Sequence, residues 1–217
     1  MNQPQKHNPS YEEIQLKHYL MDDPTYDLPY KTVGIDAGER MVHESTMSHT
    51  LAIVTAGIVM EKQGDIVGHL LVTDQVIGLG LLCPGNNQSE VIALTHVELV
   101  ELEIEDVRDK LQKRTFGMEL LIDVLNSRIG ELAERYSFSH TKEEKIWLVL
   151  QQLALANGKR NASGDYILPP FSKKMMASYL HITMRQVSAV YKKWREEGYM
   201  SESEQEIISQ PFSCYSL

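Results

Sequence analysis

The spacing of apolar residues between Ser172 and Met200 constrains the fold more than any other feature of this sequence. Two short amphipathic helices are expected there, with Ser172 and Thr183 at their N-caps, because hydroxyl oxygens accept hydrogen bonds from the free N–H groups of a first turn. Their apolar faces are Met176, Ala177 and Leu180, and Val187, Val190 and Trp194. His181 occupies the turn, at a position that usually requires positive φ. This spacing predicts a helix-turn-helix.

The residues on either side of this segment predict how its domain continues. Gly198 is expected to end the second helix, since glycine is common just after a helix. Residues 199–208 are then expected to form the small hairpin of a winged helix. Upstream, residues 143–156 predict a further helix, which Asn157 and Gly158 end. The apolar face of that helix is Ile146, Leu148, Leu150 and Leu153.

The charge of the helix-turn-helix segment is opposite to that of the whole chain. The chain has a formal charge of −9, whereas residues 170–200 hold six basic residues against Glu196 and Glu197, a net charge of +4. Because phosphate contacts supply most non-specific affinity for DNA, an acidic protein that binds DNA needs its positive charge on one surface. A basic helix can also be a merely solvated face. Its coincidence with this spacing favours DNA binding, with a winged helix that docks proteins without binding DNA as the alternative.

Length and composition set few limits on the rest of the chain. Its 217 residues are enough for one large or two ordinary domains, and 42% are hydrophobic, as in globular proteins. The sequence has no charged-then-apolar leader and no apolar run near the ~20 residues that span a bilayer, which predicts a soluble cytoplasmic protein without a membrane partner. Cys83 and Cys214 have no CxxC partner, so no metal site is expected; a redox role for Cys83 stays open.

Short strands are expected between a polar start, residues 1–11, and residue 104. The predicted strand segments are rich in Val, Ile, Leu and Thr and are separated by glycines. They are residues 40–43, 50–62, 65–73 and 90–104. Many short strands at even spacing predict a β-roll or barrel.

A metal-dependent enzyme on a small β-roll, of the cupin type, is the competing hypothesis for this block. The candidate ligands are His43, Glu44, His49, His69 and His96. The block has no His-x-His pair on a strand to direct two imidazoles at one ion. We therefore predict no catalytic residue, no metal ligand and no enzymatic activity.

One long helix is expected from about residue 105 to residue 136. Its apolar residues recur at the a and d positions of a heptad, with Thr115 at the vacant position. They are Leu111, Met118, Ile122, Leu125, Ile129, Leu132 and Tyr136. A seam this narrow favours a parallel two-stranded coiled coil, so these residues are predicted to form a dimer interface, with burial inside the monomer as the alternative.

The order of these parts resembles the Crp/Fnr family of bacterial transcription regulators over residues 33–208. The residues that carry the resemblance are Gly38-Glu39, Ala56-Gly57, Ile77-Gly78, Ala93-Leu94-Thr95 and segment 171–200. The resemblance implies an α+β protein. Its parts would be an N-terminal antiparallel, jelly-roll-like β-roll (1–104), a dimerisation helix (105–138) and a C-terminal winged helix-turn-helix domain (139–217). It also implies a homodimer that binds a two-fold symmetric double-stranded DNA operator and acts on RNA polymerase.

The signal that this protein senses does not follow from the resemblance. Members that bind cyclic nucleotides use a Gly-Glu pair and an Arg, whereas here Leu79 follows Gly78, and Gln88 or Ser89 stands near the place of the Arg. A buried phosphate without a cation loses a charge-assisted hydrogen bond, so weak or no cyclic-nucleotide binding is expected. The cysteine cluster of iron–sulfur members is absent as well. No cofactor is predicted, and the effector is unknown.

The exposed N-terminal face of the second helix is expected to read DNA bases. Its residues are Met184, Arg185, Gln186, Ser188 and Ala189. Arg185 suits bidentate contact with guanine and Gln186 with adenine, and Met184 and Ala189 suit a thymine methyl group. Family members often carry Arg-Glu at the start of this helix and an Arg one turn later, so a different operator is expected. The predicted phosphate contacts are Lys173, Lys174, Thr183, Lys192 and Lys193.

Overall fold

The computed structural model describes residues 11–41, 49–82, 89–137 and 140–207, which fall into two units divided between residues 134 and 135. Within these residues, the N-terminal unit contains two antiparallel four-stranded sheets, three α-helices and a short 3-10 helix (Leu79–Leu82). The C-terminal unit contains three α-helices and a small two-stranded sheet in the same described ranges. The α+β class is confirmed. None of the helices in the described ranges combines the length and apolar character needed to cross a membrane.

Two sheets form the β-roll of the N-terminal unit. Its strands are β1 (Tyr30–Ile35), β2 (Arg40–Met41), β3 (Thr50–Ala56), β4 (Ile58–Gln63), β5 (Ile66–Val72), β6 (Val76–Ile77), β7 (Glu90–Ala93) and β8 (Val97–Glu103). The order is β1-β8-β3-β6 in one sheet and β2-β7-β4-β5 in the other, and every pairing is antiparallel. This architecture confirms the predicted β-roll.

The central strands β3 and β8 are apolar on both faces because each face meets a different layer. On β8, Val97 and Leu99 belong to the core between the two sheets. Val100 and Leu102 belong to a second core, which the sheet shares with the helices. The adjacent apolar residues Leu99 and Val100 are therefore both buried, one on each side of the sheet.

Two predicted strands are interrupted by turns. Segment 50–62 divides into β3 and β4 at Gly57, where φ is 92° and a Cβ atom would lie 2.3 Å from the His96 carbonyl oxygen. Only glycine accepts that approach. Segment 90–104 likewise divides into β7 and β8. The sequence reasoning missed β1, β6 and a helix, α1 (Tyr11–Met21), which begins at the last residue of the polar start.

The predicted helix 105–136 is wrong as a single element. It consists of α2 (Ile104–Lys113) and α3 (Thr115–Tyr136), with Arg114 extended between them at φ −136° and ψ 134°. Gly117 packs so closely that a Cβ atom would lie 2.9 Å from the Leu111 carbonyl oxygen and from Tyr19 Oη. Leu111 lies in α2 and is buried in the core with the helices. Its assignment to the dimer interface is therefore corrected: Leu111 lies before the break at Arg114, so it does not share one continuous helix with the apolar residues of α3.

The C-terminal unit is built on three helices around a small core. They are α4 (Lys142–Asn157), α5 (Lys173–Leu180) and α6 (Met184–Glu196). Thr141 and Glu144 form a reciprocal capping box at the start of α4, and Gly158 ends that helix with φ 63°. Helix α4 packs on both α5 and α6. The ring centroids of Trp147 and Trp194 lie 5.3 Å apart, edge to face.

The wing differs from the predicted hairpin over residues 199–208. Strand β10 (Glu206–Ile207) pairs with β9 (Tyr166–Ile167), which precedes α5, and only an isolated bridge joins Met200 to Ile207. A turn stabilised by its own hydrogen bonds separates Ser201 from Glu206. The small sheet is therefore assembled from both sides of the helix-turn-helix. Residue 208 lies outside the described residues.

Candidate nucleic-acid interface

The helix-turn-helix has the local structure that its sequence predicts. The hydroxyl groups of Ser172 and Thr183 accept hydrogen bonds from the backbone N–H groups of Met175 and Gln186. His181 occupies the turn with φ 53°, in the left-handed region. Its Nε2 lies 2.7 Å from Tyr136 Oη, within hydrogen-bond distance, and the two rings are 4.7 Å apart. The strained residue of the turn is thus supported by a neighbouring aromatic ring.

The base-reading candidates lie together along the first turns of α6, but they are not equally available. Met184 is 53% exposed, and Arg185 and Ala189 are also exposed, whereas Ser188 is half-buried. Arg185 has no ion-pair partner among the described residues. Gln186 accepts a hydrogen bond from the Thr183 N–H through Oε1, at 2.9 Å. Bidentate contact with adenine needs that same oxygen, so Gln186 would have to leave the cap of α6 to make it, and its base contact stays a prediction.

The predicted phosphate contacts differ in exposure and in the groups that they already contact. Lys173 forms an ion pair with Glu204 at 2.8 Å, and Lys193 forms one with Glu143 at 2.9 Å. Thr183 is engaged in the cap of α6, while Lys174 and Lys192 are exposed. The one acid near Lys192 in the described chain, Glu196, is 3.8 Å away, at a distance that solvent screens. The cations of the segment are therefore partly neutralised within the unit itself.

Glu143 joins the start of α4 to the end of α6. Its Oε1 accepts hydrogen bonds from Trp194 Nε1 and from Lys193 Nζ, both at 2.9 Å. Trp194 is buried, as predicted, and Tyr191 is buried beside it with the rings stacked at 6.4 Å. Burial, with the nearby Glu204 carboxylate, raises the pKa of the Tyr191 phenol. Both aromatic side chains therefore anchor α6 to the unit and do not lie on its exposed face.

The turn before β9 contributes a basic side chain that the sequence reasoning did not single out. The Arg160 guanidinium lies 4.0 Å above the centre of the Tyr166 ring, and its Nη1 donates a hydrogen bond to the Gly164 carbonyl at 3.2 Å. A stacked arginine loses less conformational freedom when it binds a further anion. A basic and an aromatic residue on either side of the short turn 161–165 are the sequence signal that could have found this contact.

A cavity of about 440 Å³ lies in the N-terminal unit, against the β4–β5 hairpin and one side of α3. Gly78, Leu79 and Ser89 line it, so the positions at which the sequence departs from cyclic-nucleotide-binding members lie together; Gln88 falls outside the described residues. Lys62 and Arg128 also line it. Lys62 is 2.8 Å from Glu90, and Arg128 is 2.6 Å from Glu13. The lysine and arginine of the lining thus already face carboxylates.

The candidate metal ligands do not converge within the described part of the chain. His96 pairs with Asp36 at 3.0 Å, and His69 lines the cavity. In residues 11–41, 49–82, 89–137 and 140–207, no three His, Cys, Asp or Glu side chains come close enough to hold one ion. His43 and Glu44 lie outside these ranges, as do Cys83 and Cys214, so the redox hypothesis for Cys83 also stays outside them.

One face of α3 leaves an apolar stripe uncovered by the N-terminal unit. Ile122 and Ile129 are 52% and 62% exposed, Met118 is exposed, and Leu125 and Leu132 are half-buried. We call these five residues the outer stripe. The opposite face of the helix is buried through Gly117, Leu120, Leu121, Val124 and Arg128. Leu125 packs partly against the core of the unit, whereas Met118, Ile122 and Ile129 stay open to solvent.

Comparison with solved structures gives the family to which this fold is similar. FixK2 from Bradyrhizobium japonicum matches with a TM-score of 0.65 over 86% of this chain and 96% of its own, at 15% identity. TTHA1359, a CRP/FNR-family transcriptional regulator from Thermus thermophilus, matches with a TM-score of 0.64 over 82% and 94%, at 17% identity. CLP, the c-di-GMP-responsive global regulator of Xanthomonas campestris, matches at 0.61 over 90% and 96%, at 16% identity. No family model and no curated protein sequence matches. The chain has the Crp/Fnr fold, which confirms the resemblance at that level.

Proposed function

We propose that this protein is a sequence-specific, DNA-binding transcription regulator that acts as a homodimer. The observation that carries the proposal is the division of α6 into two faces: Val187, Tyr191 and Trp194 anchor it in the core, and Met184, Arg185 and Ala189 are exposed at its start. A helix held in this way fits the major groove of B-DNA with its N-terminal residues at the base edges. Two of the similar structures are named as regulators, TTHA1359 as a transcriptional regulator and CLP as a global regulator, and these names support the same class of function.

Base readout in this proposal depends mainly on Arg185. Its guanidinium is exposed and has no acid partner among the described residues, so two of its N–H donors suit the O6 and N7 acceptors of guanine. Met184 and Ala189 lie on either side of it and suit thymine methyl groups. Ser188 and the exposed Lys174 and Lys192 are proposed as further polar and phosphate contacts.

The outer stripe of α3 is proposed as the dimer interface. Five apolar positions at heptad spacing on an otherwise polar face match the seam of a two-stranded coiled coil, and a second copy of this chain presents the same seam. Burial of Ile122 and Ile129 would remove from water the two most exposed side chains of the stripe. A dimer would present two copies of α6, one for each half-site of a two-fold symmetric DNA operator.

Regulation without a cyclic nucleotide is part of the proposal. A cyclic phosphate in the cavity would have to displace Glu90 from Lys62 or Glu13 from Arg128, since both cations already hold carboxylates. Each new ion pair between a cation and the cyclic phosphate would break an existing pair with a carboxylate, so the exchange contributes little to the net affinity for the nucleotide. RNA polymerase is proposed as a protein partner, and no enzymatic activity is proposed.

Selection of bound sequences from a random duplex pool, with purified and ligand-free protein, tests this function. We expect a two-fold symmetric motif whose half-sites lie about one helical turn apart, ~34–36 Å. An asymmetric motif would contradict the homodimer. Absence of enrichment, both in buffer and with cell extract added to supply an effector, would contradict DNA binding.

A further inference from the structure

Glu204 lies in the turn between α6 and β10, and its carboxylate contacts two cations of the helix-turn-helix. Lys173 Nζ is 2.8 Å from Oε2, and Arg195 Nη1 is 3.0 Å from Oε1. Lys173 is the first residue of α5, and Arg195 belongs to the last turn of α6. One carboxylate therefore joins both helices and removes one of the two positive charges at this point. All three side chains remain between 20% and 30% exposed, so the cluster borders solvent.

The turn itself does not require a glutamate at this position. The Glu204 N–H donates to the Ser201 carbonyl at 2.9 Å, and the Ser201 N–H donates to the Glu206 carbonyl at 3.0 Å. The Glu206 N–H donates to Ser201 Oγ at 3.1 Å. None of these hydrogen bonds uses the Glu204 side chain. Its φ of 59° is in the left-handed region, which disfavours a residue with a Cβ and favours glycine. Backbone conformation alone would favour a glycine here, and what Glu204 adds to the turn is its carboxylate.

The charge balance of the cluster depends on Glu204. The Tyr191 ring centre lies 5.5 Å from Lys173 Nζ, but burial raises the pKa of its phenol and keeps it neutral. Without the Glu204 carboxylate, Lys173 and Arg195 would be two adjacent, partly exposed cations at the helix-turn-helix. Cations of this kind bind the phosphates of any DNA sequence, because phosphate contacts carry no base information.

We propose that Glu204 determines specificity as a positioning residue: it holds Lys173 and Arg195 in ion pairs and so lowers the affinity of the winged helix for DNA of any sequence. This inference rests on the proposed DNA binding. It does not involve base readout, since Arg185 lies at the other end of α6 from Arg195.

The test compares two acids of the same turn in the full-length protein. Glu204→Gln removes the paired carboxylate, and Glu202→Gln changes the net charge equally but removes an exposed carboxylate with no ion pair among the described residues. Binding to a random-sequence duplex is measured from about 50 to about 300 mM salt. The slope of log K against log salt is expected to steepen by about 0.9 for each additional phosphate that Glu204→Gln neutralises. In Glu202→Gln the slope should stay at the wild-type value.

Two further variants separate charge from folding. Glu204→Gly removes the carboxylate and suits the left-handed backbone, so it should fold and show the same steeper slope as Glu204→Gln. Glu204→Asp retains a carboxylate and should return the slope toward the wild-type value. A slope in Glu204→Gln and Glu204→Gly that equals that of Glu202→Gln, or is shallower, would overturn the inference alone. No retention of wild type or any variant at the lowest salt would overturn the proposed function, and this inference with it.

Discussion

The ion pair between Glu13 of α1 and Arg128 of α3 gives a quantitative test of how the N-terminal unit is held together. Glu13 is 1% exposed, and Arg128 Nε and Nη2 donate to its Oε1 at 2.9 and 2.6 Å. Gln75 Nε2 donates to the other oxygen of Glu13 at 2.5 Å, and Arg128 Nη2 also donates to the Val76 carbonyl at 2.5 Å. Glu13→Ala leaves a buried guanidinium without its counter-charge. We expect the free energy of unfolding to fall by about 3–5 kcal/mol.

The double variant distinguishes loss of a charge partner from loss of packing. Glu13→Leu combined with Arg128→Leu should recover most of the stability, since apolar groups of similar volume can replace a buried pair at little cost. Urea unfolding followed by circular dichroism measures these changes. Both tryptophans lie in the C-terminal unit, so tryptophan fluorescence follows that unit separately. Glu12→Ala, on the same helix, is the control. Losses below ~1 kcal/mol in Glu13→Ala, or a double variant no better than the single, would refute the reasoning.

Three further predictions concern DNA, the dimer and pH. Arg185→Ala should cost roughly 1–3 kcal/mol at one base position, whereas Lys192→Ala should weaken all duplexes alike; equal losses on operator and random DNA would contradict this division. Ile129→Lys should give a monomer by sedimentation, and an unchanged mass would exclude the outer stripe as the interface. Hydrogen bonds from Thr141 lower the pKa of Glu144 in the folded state. The ionised Glu144 therefore stabilises the fold above the ordinary carboxyl pKa, and this stabilisation is lost as pH falls through the lowered pKa of the folded state. Acid unfolding should therefore depend less on pH in Glu144→Gln.

The local structure of the C-terminal unit could be predicted because short-range rules determine it. Ser172 and Thr183 cap the helices that follow them, and Gly158 and Gly198 take positive φ just after α4 and α6, as expected. Each of these features depends on contacts within about four residues along the chain. The wing was predicted less well, since β10 pairs with β9 across the whole helix-turn-helix, and a hairpin pattern does not show that partner.

One residue, Glu13, explains why helix α1 was not predicted from the sequence. Its buried positions are Glu13, Leu16, Tyr19 and Leu20, which have helical spacing only if a glutamate is accepted as a core residue. Glutamate is almost never buried unless it is paired. Its partner, Arg128, is 115 positions away, so no sequence window contains both. The break at Arg114 was missed for a related reason: the close contact of Gly117 with Tyr19 is also long-range.

The net charge of +4 counted over residues 170–200 overestimates the positive charge that is available to DNA phosphates. Less of the affinity for DNA is therefore expected to come from phosphate contacts. Glu143 pairs with Lys193 from 50 positions away and Glu204 pairs with Lys173 from 31, so the local excess of +4 is reduced by acids outside the segment. On a chain of net charge −9, non-specific attraction to phosphates is correspondingly weak. The proposed specific binding would then depend on the proposed base contacts of α6, above all Arg185. A large ratio of specific to random-sequence affinity, with a shallow salt dependence, is the behaviour that this charge distribution favours.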